Sequence, residues 1–246
     1  MITTVIITKN EEHNIRRCLE SVKWTDEIII IDSGSMDKTL EIAKEYTSKI
    51  FQTGWLGFGR TKNFGFEKSQ NEWILSLDAD EEITEELKNE IIGVLVNPKF
   101  DGYSMPRRLF FCGHAVKYGG ISPDYQLRLF KKSKGKFSDD PVHEYVILDG
   151  ERDRLKNIMN HFSYNSMSEY WDRFNKYTTL DAKKKLEKNK KFSFLAILIL
   201  PWENFRRLII KRGLLDGYPG IFYHVFSAVS SFVKYAKLWE LNNSAK

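Results

Sequence analysis

Over the first hundred residues, short apolar runs alternate with stretches of helical periodicity. Thr3 to Ile7 is a β-branched run, and the polar Thr8-Lys9-Asn10-Glu11-Glu12 after it suits a strand-to-helix turn. Ile15, Cys18, Leu19 and Val22 then mark one helical face. Glu27 to Ile31 is wholly apolar after its first residue, as expected of a strand covered on both sides. It ends in the turn Asp32-Ser33-Gly34-Ser35, and Leu40, Ala43 and Tyr46 predict a second helix. Lys49 to Gln52 predicts a third strand, and the loop from Gly54 to Gly59 leads into a helix over Thr61 to Lys68. Trp73 to Leu77 is a fourth strand that runs into Asp78-Ala79-Asp80, and Thr84 caps a helix with Leu87, Ile91 and Leu95 inward.

This order predicts a parallel sheet with right-handed crossovers. It places Thr8 to Glu12, Asp32 and Asp78/Asp80 just past the C-terminal ends of three strands, the edge where open α/β sheets bind ligands. After Pro98 the pattern changes. Gly102 to Met105, Gln126 to Phe130 and Val142 to Leu148 predict further strands, and the chain becomes helical from Ser166.

Charge divides the chain unevenly. The 246 residues carry a formal net charge of +5. Residues 1–182 hold 25 basic and 29 acidic side chains, whereas residues 183–246 hold 13 basic and 4 acidic ones. The basic balance therefore belongs to the tail, which argues against a nucleic-acid-binding body. Six lysines cluster in Lys183–Lys191, and Arg206, Arg207, Lys211 and Arg212 follow the apolar run Phe192 to Leu200. That run is about half the roughly 20 residues needed to span a bilayer. Phe222, Val225, Phe226, Val229, Phe232, Val233 and Ala236 recur at helical spacing beyond it. Basic residues beside apolar faces suit an anionic membrane surface, with a core-packing helical hairpin or an oligomer interface as the alternatives. The N-terminus reads as a first strand without the features of a signal peptide, so the expected location is cytoplasmic. Cys18 and Cys112, without ligand-spaced partners, are expected to be reduced thiols.

The sharpest chemical feature is Asp78-Ala79-Asp80. Two carboxylates two residues apart at the end of a buried strand suit a hard divalent cation shared with a polyphosphate. The alternative is an acidic helix N-terminus, to which Glu81 and Glu82 would contribute.

Taken in order, several segments resemble family 2 glycosyltransferases of the GT-A fold, most closely the bacterial lipopolysaccharide-core β-glucosyltransferase group. They are Val5 to Glu12, Asp32-Ser33-Gly34-Ser35-Met36-Asp37, Lys62-Asn63, and Leu77-Asp78-Ala79-Asp80-Glu81. Later ones are Pro123 to Phe130, Val142-His143-Glu144 and Leu215-Asp216-Gly217-Tyr218-Pro219-Gly220. The resemblance implies an α/β, Rossmann-like, mostly parallel sheet flanked by helices, with a C-terminal helical extension. Residues 1–97 would form the nucleotide-sugar-binding half and 98–165 the acceptor-side part of the same domain. Residues 166–246 would form a basic, aromatic extension that associates with the membrane.

It also implies roles. Thr8, Glu11 and Asp32 would hold the nucleoside, Lys62, Asn63 and Asp78 the nucleotide sugar, and Asp80 a Mg²⁺ or Mn²⁺ ion. Many relatives carry an acidic pair as the general base; here His143-Glu144 stands at that place. Glu144 is then the favoured base, with Asp124 as the alternative, and His143 orients it or reaches the metal or diphosphate. Arg107, Arg108 and Arg128 would either add charge for an anionic ligand or be paired. The implied activity is inverting transfer of a sugar such as glucose, from a nucleotide-linked donor such as UDP-glucose, to a lipid-linked saccharide. The setting would be the inner face of the cytoplasmic membrane, with oligomerisation through the C-terminal helices left open. A sugar-nucleotide-forming nucleotidyltransferase and a non-catalytic membrane scaffold are the competing readings.

Overall fold

The structure, a computed structural model, describes residues 1–140 and 144–244. The chain runs β1 (Ile2–Thr8), α1 (Ile15–Val22), β2 (Glu27–Asp32), α2 (Thr39–Ala43), β3 (Ile50–Gln52), α3 (Phe58–Lys68) and β4 (Trp73–Asp78). Next come β5 (Glu81–Ile83), α4 (Glu85–Val96), β6 (Gly102–Phe111), β7 (His114–Val116), β8 (Asp124–Lys131), β9 (Gly135–Phe137), β10 (Val146–Leu148), β11 (Arg152–Arg154) and β12 (Met159–Tyr164). The tail holds α5 (Met167–Glu187), a 3₁₀ turn (Phe194–Leu198), α6 (Ile199–Phe205), a π turn (Arg206–Ile210), a second 3₁₀ turn (Gly213–Asp216) and α7 (Gly217–Ser244).

Two compact units result. One comprises Met1–Arg107 and Asp124–His161, the other Arg108–Pro123 and Phe162–Lys246. The main sheet has the order β3-β2-β1-β4-β8-β6-β12-β5. Strands β3, β2, β1 and β4 are parallel, and β8 runs antiparallel to both β4 and β6.

The continuous apolar strands are explained by burial on both sides. Ile6, Ile28 and Ile30 face Ile15, Cys18, Leu19 and Val22 of α1 and Leu87 and Ile91 of α4. Val5, Ile7, Ile29 and Ile31 point the other way, into a cluster with Phe66, Ile74, Phe130 and Phe137. The period-2 alternation of a strand thus feeds two cores at once. Helix α3 approaches the sheet so closely that a Cβ on Gly65 would lie 2.4 Å from the Val5 side chain. Thr84 caps α4 by accepting from the Leu87 N–H, as its position predicts.

Some elements differ from the pattern-based expectation. Helix α3 begins at Phe58, and α2 is a single turn and a half. Glu81, which the alternative reading put at the acidic start of a helix, lies in β5, because Glu81–Ile83 pairs with β12. Of the strand expected over Val142–Leu148, only Val146–Leu148 pairs, with β9; residues 141–143 lie outside those described.

In the second unit, α5 packs along α7. Phe111, Tyr164, Tyr170 and Tyr223 form an aromatic cluster, with Phe226 against Tyr170 and Trp171. The Lys237 ammonium donates to the Asn175 carbonyl and side chain and to the Thr178 and Thr179 hydroxyls. Of the α7 face expected to meet a membrane, Phe226 packs on α5, Phe222 is exposed, and the rest is half-buried. Among the described residues no helix is long and apolar enough to cross a membrane.

Candidate active site

Strand register brings three of the expected residues to one edge. Thr8 lies opposite Asp32 across β1 and β2, and Ile7 opposite Asp78 across β1 and β4. All three side chains stand at the C-terminal ends of neighbouring parallel strands. The loops that follow are stitched together. Asn10, in the left-handed region at φ 54°, accepts from the Met36 N–H at 2.8 Å, and its own N–H donates to the Ser35 hydroxyl at 2.9 Å. Glu11 and Glu12 donate their N–H groups to Thr39 and Asp37. The Asp32 carboxylate is fully buried and accepts from the Gly34 N–H, the Ser35 N–H and the Ser35 hydroxyl. In this geometry it shapes the turn. The Thr8 hydroxyl is buried with no hydrogen-bond partner among the described groups.

A chain of charges occupies the edge beyond β4. The Lys62 ammonium, only 1 % exposed, meets Asp78 Oδ1 at 2.9 Å and Glu144 Oε1 at 3.2 Å. Asp78 Oδ2 accepts from Arg128 Nη2 at 2.7 Å, and the same nitrogen donates to Glu81. Glu81 also meets Arg107 at 3.3 Å, and Arg107 binds Asp124 through Nε at 3.0 Å and Nη2 at 2.6 Å. The series Glu144–Lys62–Asp78–Arg128–Glu81–Arg107–Asp124 thus joins both candidate bases to the acidic turn.

Glu81 is the hub. Its Oε2 accepts the Asp78 N–H at 3.0 Å, closing the Asp78–Glu81 turn on itself. Burial would push the Asp78 carboxyl up, but the Lys62 and Arg128 charges and their hydrogen bonds outweigh this and hold it well below the usual carboxylate range. Burial likewise disfavours the Arg128 and Arg107 cations, and the facing carboxylates reverse the shift in both. Asp78 nevertheless keeps 28 % of its side chain open to solvent.

Asp80 is buried and lies 3.4 Å from His161 Nε2. His161 is on β12, paired in register with Glu81. Among the described residues no three His, Cys, Asp or Glu side chains enclose a metal position. A Mg²⁺ or Mn²⁺ ion on a nucleotide needs no such cage, since one or two carboxylates suffice when phosphate oxygens and water complete the shell. Asp80 with His161 beside it fits that partial donor set. His143 lies outside the described residues.

The remaining expected residues separate by environment. Asn63 accepts from the Phe137 N–H at 2.8 Å and donates to the Phe137 carbonyl at 3.0 Å, so its amide latches α3 to β9. Both Asp124 oxygens are held, Oδ2 by Arg107 and Oδ1 by Gln126 at 2.7 Å. Among the described residues the Glu144 carboxylate contacts Lys62 alone. Glu81, Arg107, Arg128 and His161 complete the site; of these only His161 was not singled out in the sequence. For the two arginines the sequence left pairing open, and both are paired. Cys18 and Cys112 are free thiols; Cys18 is buried behind the acidic turn, with Sγ 3.7 Å from the Asp78 carbonyl, and burial pushes its thiol up.

A sheet of this order, with its polar residues at one edge and a helical C-terminal region, has the GT-A architecture. S. aureus TarS 1-349 in complex with UDP-GlcNAc matches the whole chain and 92% of its own length, with a TM-score of 0.51 at 16% identity. The chain belongs to glycosyl transferase family 2, whose model matches residues 3–146. An uncharacterized glycosyltransferase of Rickettsia typhi is 31% identical over 98% of this chain and 87% of the relative. The lipopolysaccharide core biosynthesis glycosyltransferase LpsC of Rhizobium meliloti is 28% identical over 97% of this chain and 92% of the relative.

Proposed function

We propose that the chain is an inverting glycosyltransferase that moves a sugar from a nucleotide-linked donor to a lipid-linked saccharide of the lipopolysaccharide-core kind. LpsC, similar along nearly its whole length, supports the acceptor class. The single observation that carries the mechanism is Lys62, whose ammonium touches both Asp78 and Glu144. That shared contact supports reading Glu144 as a general base working beside Asp78.

In this reading Thr8, Glu11 and the turn fixed by Asp32 form the nucleoside end of a UDP-linked donor. Lys62 and Asp78 meet the nucleotide sugar, with Asn63 holding α3 in place beside them. Asp80 would hold Mg²⁺ or Mn²⁺, with His161 beside it and His143 as a further donor. When bound, the ion would supply Lewis-acid stabilisation of the departing diphosphate. Glu144 takes the proton from the acceptor hydroxyl, whose oxygen bonds to the sugar C1 as the bond from C1 to the diphosphate oxygen breaks. Nucleoside diphosphate leaves, and the proton remains on Glu144. Glu144 is favoured over Asp124 because both Asp124 oxygens are already taken, Oδ2 by Arg107 and Oδ1 by Gln126, whereas among the described residues the Glu144 carboxylate meets Lys62 alone. Work on a lipid-linked acceptor calls for a peripheral place on the inner face of the cytoplasmic membrane, against its anionic surface.

Family membership selects this transferase reading over a nucleotidyltransferase or a non-catalytic scaffold. The test is a calorimetric donor screen with Mn²⁺, comparing UDP-, GDP-, CMP- and dTDP-sugars on wild type and Asp80→Ala. A UDP-sugar should bind wild type in a metal-dependent way, and Asp80→Ala should stay folded while losing that dependence. Full turnover of Asp80→Ala at saturating metal would remove the metal role.

A further inference from the structure

From the end of α5 into the first turns of α7 the second unit exposes apolar side chains on a scale seen nowhere else in it. Of 25 exposed large apolar residues among those described, 12 fall between Phe194 and Phe222, with Phe194 at 78 % and Tyr218 at 79 %. Leu198, Trp202, Phe205 and Ile209, spaced four, three and four apart, share one helical face, and all four are exposed. Glu203 is held apart from that face by its pairs with Arg206 at 2.7 Å and Arg207 at 3.2 Å. No residue of α6 or of the π turn after it is buried. Exposed cations stand on both sides in sequence: Lys188, Lys190 and Lys191 before, Lys211 and Arg212 after.

We propose that residues 194–222 form a wedge that docks into the headgroup–acyl boundary of an anionic bilayer. The apolar face enters while the flanking lysines and arginines meet lipid phosphates. This rests on the lipid-linked acceptor proposed above for its purpose, although its physics is independent of the donor site. Charge selects the occupant. A second copy packed by two-fold symmetry would set this patch against itself and bring cations against cations, whereas anionic headgroups complement both flanks. Aromatic side chains such as Trp202 and Tyr218 suit that boundary, being apolar in body and polar at one edge. The wedge lies on the surface, since no described helix is long and apolar enough to cross. The run Phe192 to Leu200, too short to span, joins this contact through the exposed Phe194, Leu195, Ile197 and Leu198.

The full-length protein is tested by flotation with phosphatidylcholine vesicles, with and without one quarter phosphatidylglycerol. Analytical ultracentrifugation is run in parallel. Wild type should float with both, more with the anionic set. Trp202→Glu/Phe205→Glu should lose at least tenfold in bound fraction on both, with unchanged thermal unfolding. Lys188→Gln/Lys190→Gln/Lys191→Gln should weaken only the anionic binding, by roughly fivefold per charge. Wild type that stays at the bottom overturns the wedge, as does flotation of Trp202→Glu/Phe205→Glu at the wild-type level. A wild-type dimer dissolved by that double substitution, without vesicle binding, would make the face an interface between copies. Unchanged anionic binding of the lysine variant would remove the electrostatic part. Donor calorimetry on the same preparations separates the two proposals: flotation without sugar-nucleotide binding spares the wedge and fails the transferase mechanism.

Discussion

In the unit formed by Met1–Arg107 and Asp124–His161, charged side chains lie inside: Lys62, Asp80, Glu81 and Arg128 are all buried. In the unit formed by Arg108–Pro123 and Phe162–Lys246, apolar side chains lie outside, from Phe194 to Phe222. Each arrangement reverses the usual partition of residues and costs folding free energy, by desolvating charge in one case and hydrating carbon in the other. Such costs are expected where local stability yields to function. The buried charges offset one another in a connected series, which fixes the carboxylates in place. The exposed carbon has no such internal compensation, and the proposed bilayer contact would supply it.

The comparison breaks most sharply at Arg128. Arg128→Ala leaves Glu81 and Asp78 facing each other without their shared cation, and should cost about 3–5 kcal/mol in denaturant unfolding. Trp202→Glu, on the exposed face, should change stability by no more than about 0.5 kcal/mol. If Glu81→Gln/Arg128→Met regains stability but not transfer, the network serves the site; if both return together, it serves packing alone. Glu144→Gln should retain donor binding and slow transfer by roughly 10²–10⁴-fold. Should Asp124→Asn behave that way instead, the base assignment moves to the other end of the charge series.

Two smaller effects sharpen the contrast. In the second unit His224 is buried, with Nε2 3.0 Å from Asp216, whose carboxylate also accepts from the Lys117 and Tyr118 N–H groups. A Cβ on Gly119 would collide with the imidazole, so the loop lies flat on the ring. Burial lowers the His224 pKa, against the opposing pull of Asp216. The unfolded chain therefore binds the proton more readily, and stability is lost as pH falls below the unfolded value of about 6.5. Thermal unfolding of wild type between pH 7.5 and 5 should show this decline, and His224→Gln should flatten it. The Asp78 shift acts in the same direction at lower pH: its stabilisation is complete above the unfolded value of about 3.8 and is lost progressively as pH falls below it. Smallest of all, Thr84→Ala and Ser166→Ala each remove a helix cap, one per unit, and should each cost about 1 kcal/mol without altering donor affinity.

Much of the carboxylate-bearing edge was legible in the sequence. Thr8, Asp32 and Asp78 could be placed together because strand periodicity and the turns after each apolar run locate strand ends, and parallel register aligns those ends. The environment of each side chain was not legible. Asn63 reads as an amide free for a base, yet the Phe137 backbone takes both its ends. Lys62 finds Glu144 82 residues away, and Arg128 finds Glu81 47 residues back. Such pairs form only once β8 and the later strands fold against β4, and no local pattern encodes that return.

The amino-acid sequence by itself determined the parallel βαβ half, its two-sided core and the edge where carboxylates gather. These follow from local period and turn chemistry, which act within a few residues. It also determined that the tail is basic and rich in aromatic residues. Only the tertiary structure decided that Glu81 is a buried hub instead of a helix-start charge, and that His161 stands by Asp80. It also decided that Phe226 of α7 packs on α5 while large apolar side chains from Phe194 to Phe222 stay exposed. Apolar periodicity says that a face will be covered, but the covering partner is chosen by long-range packing, because burial depends on which surfaces meet.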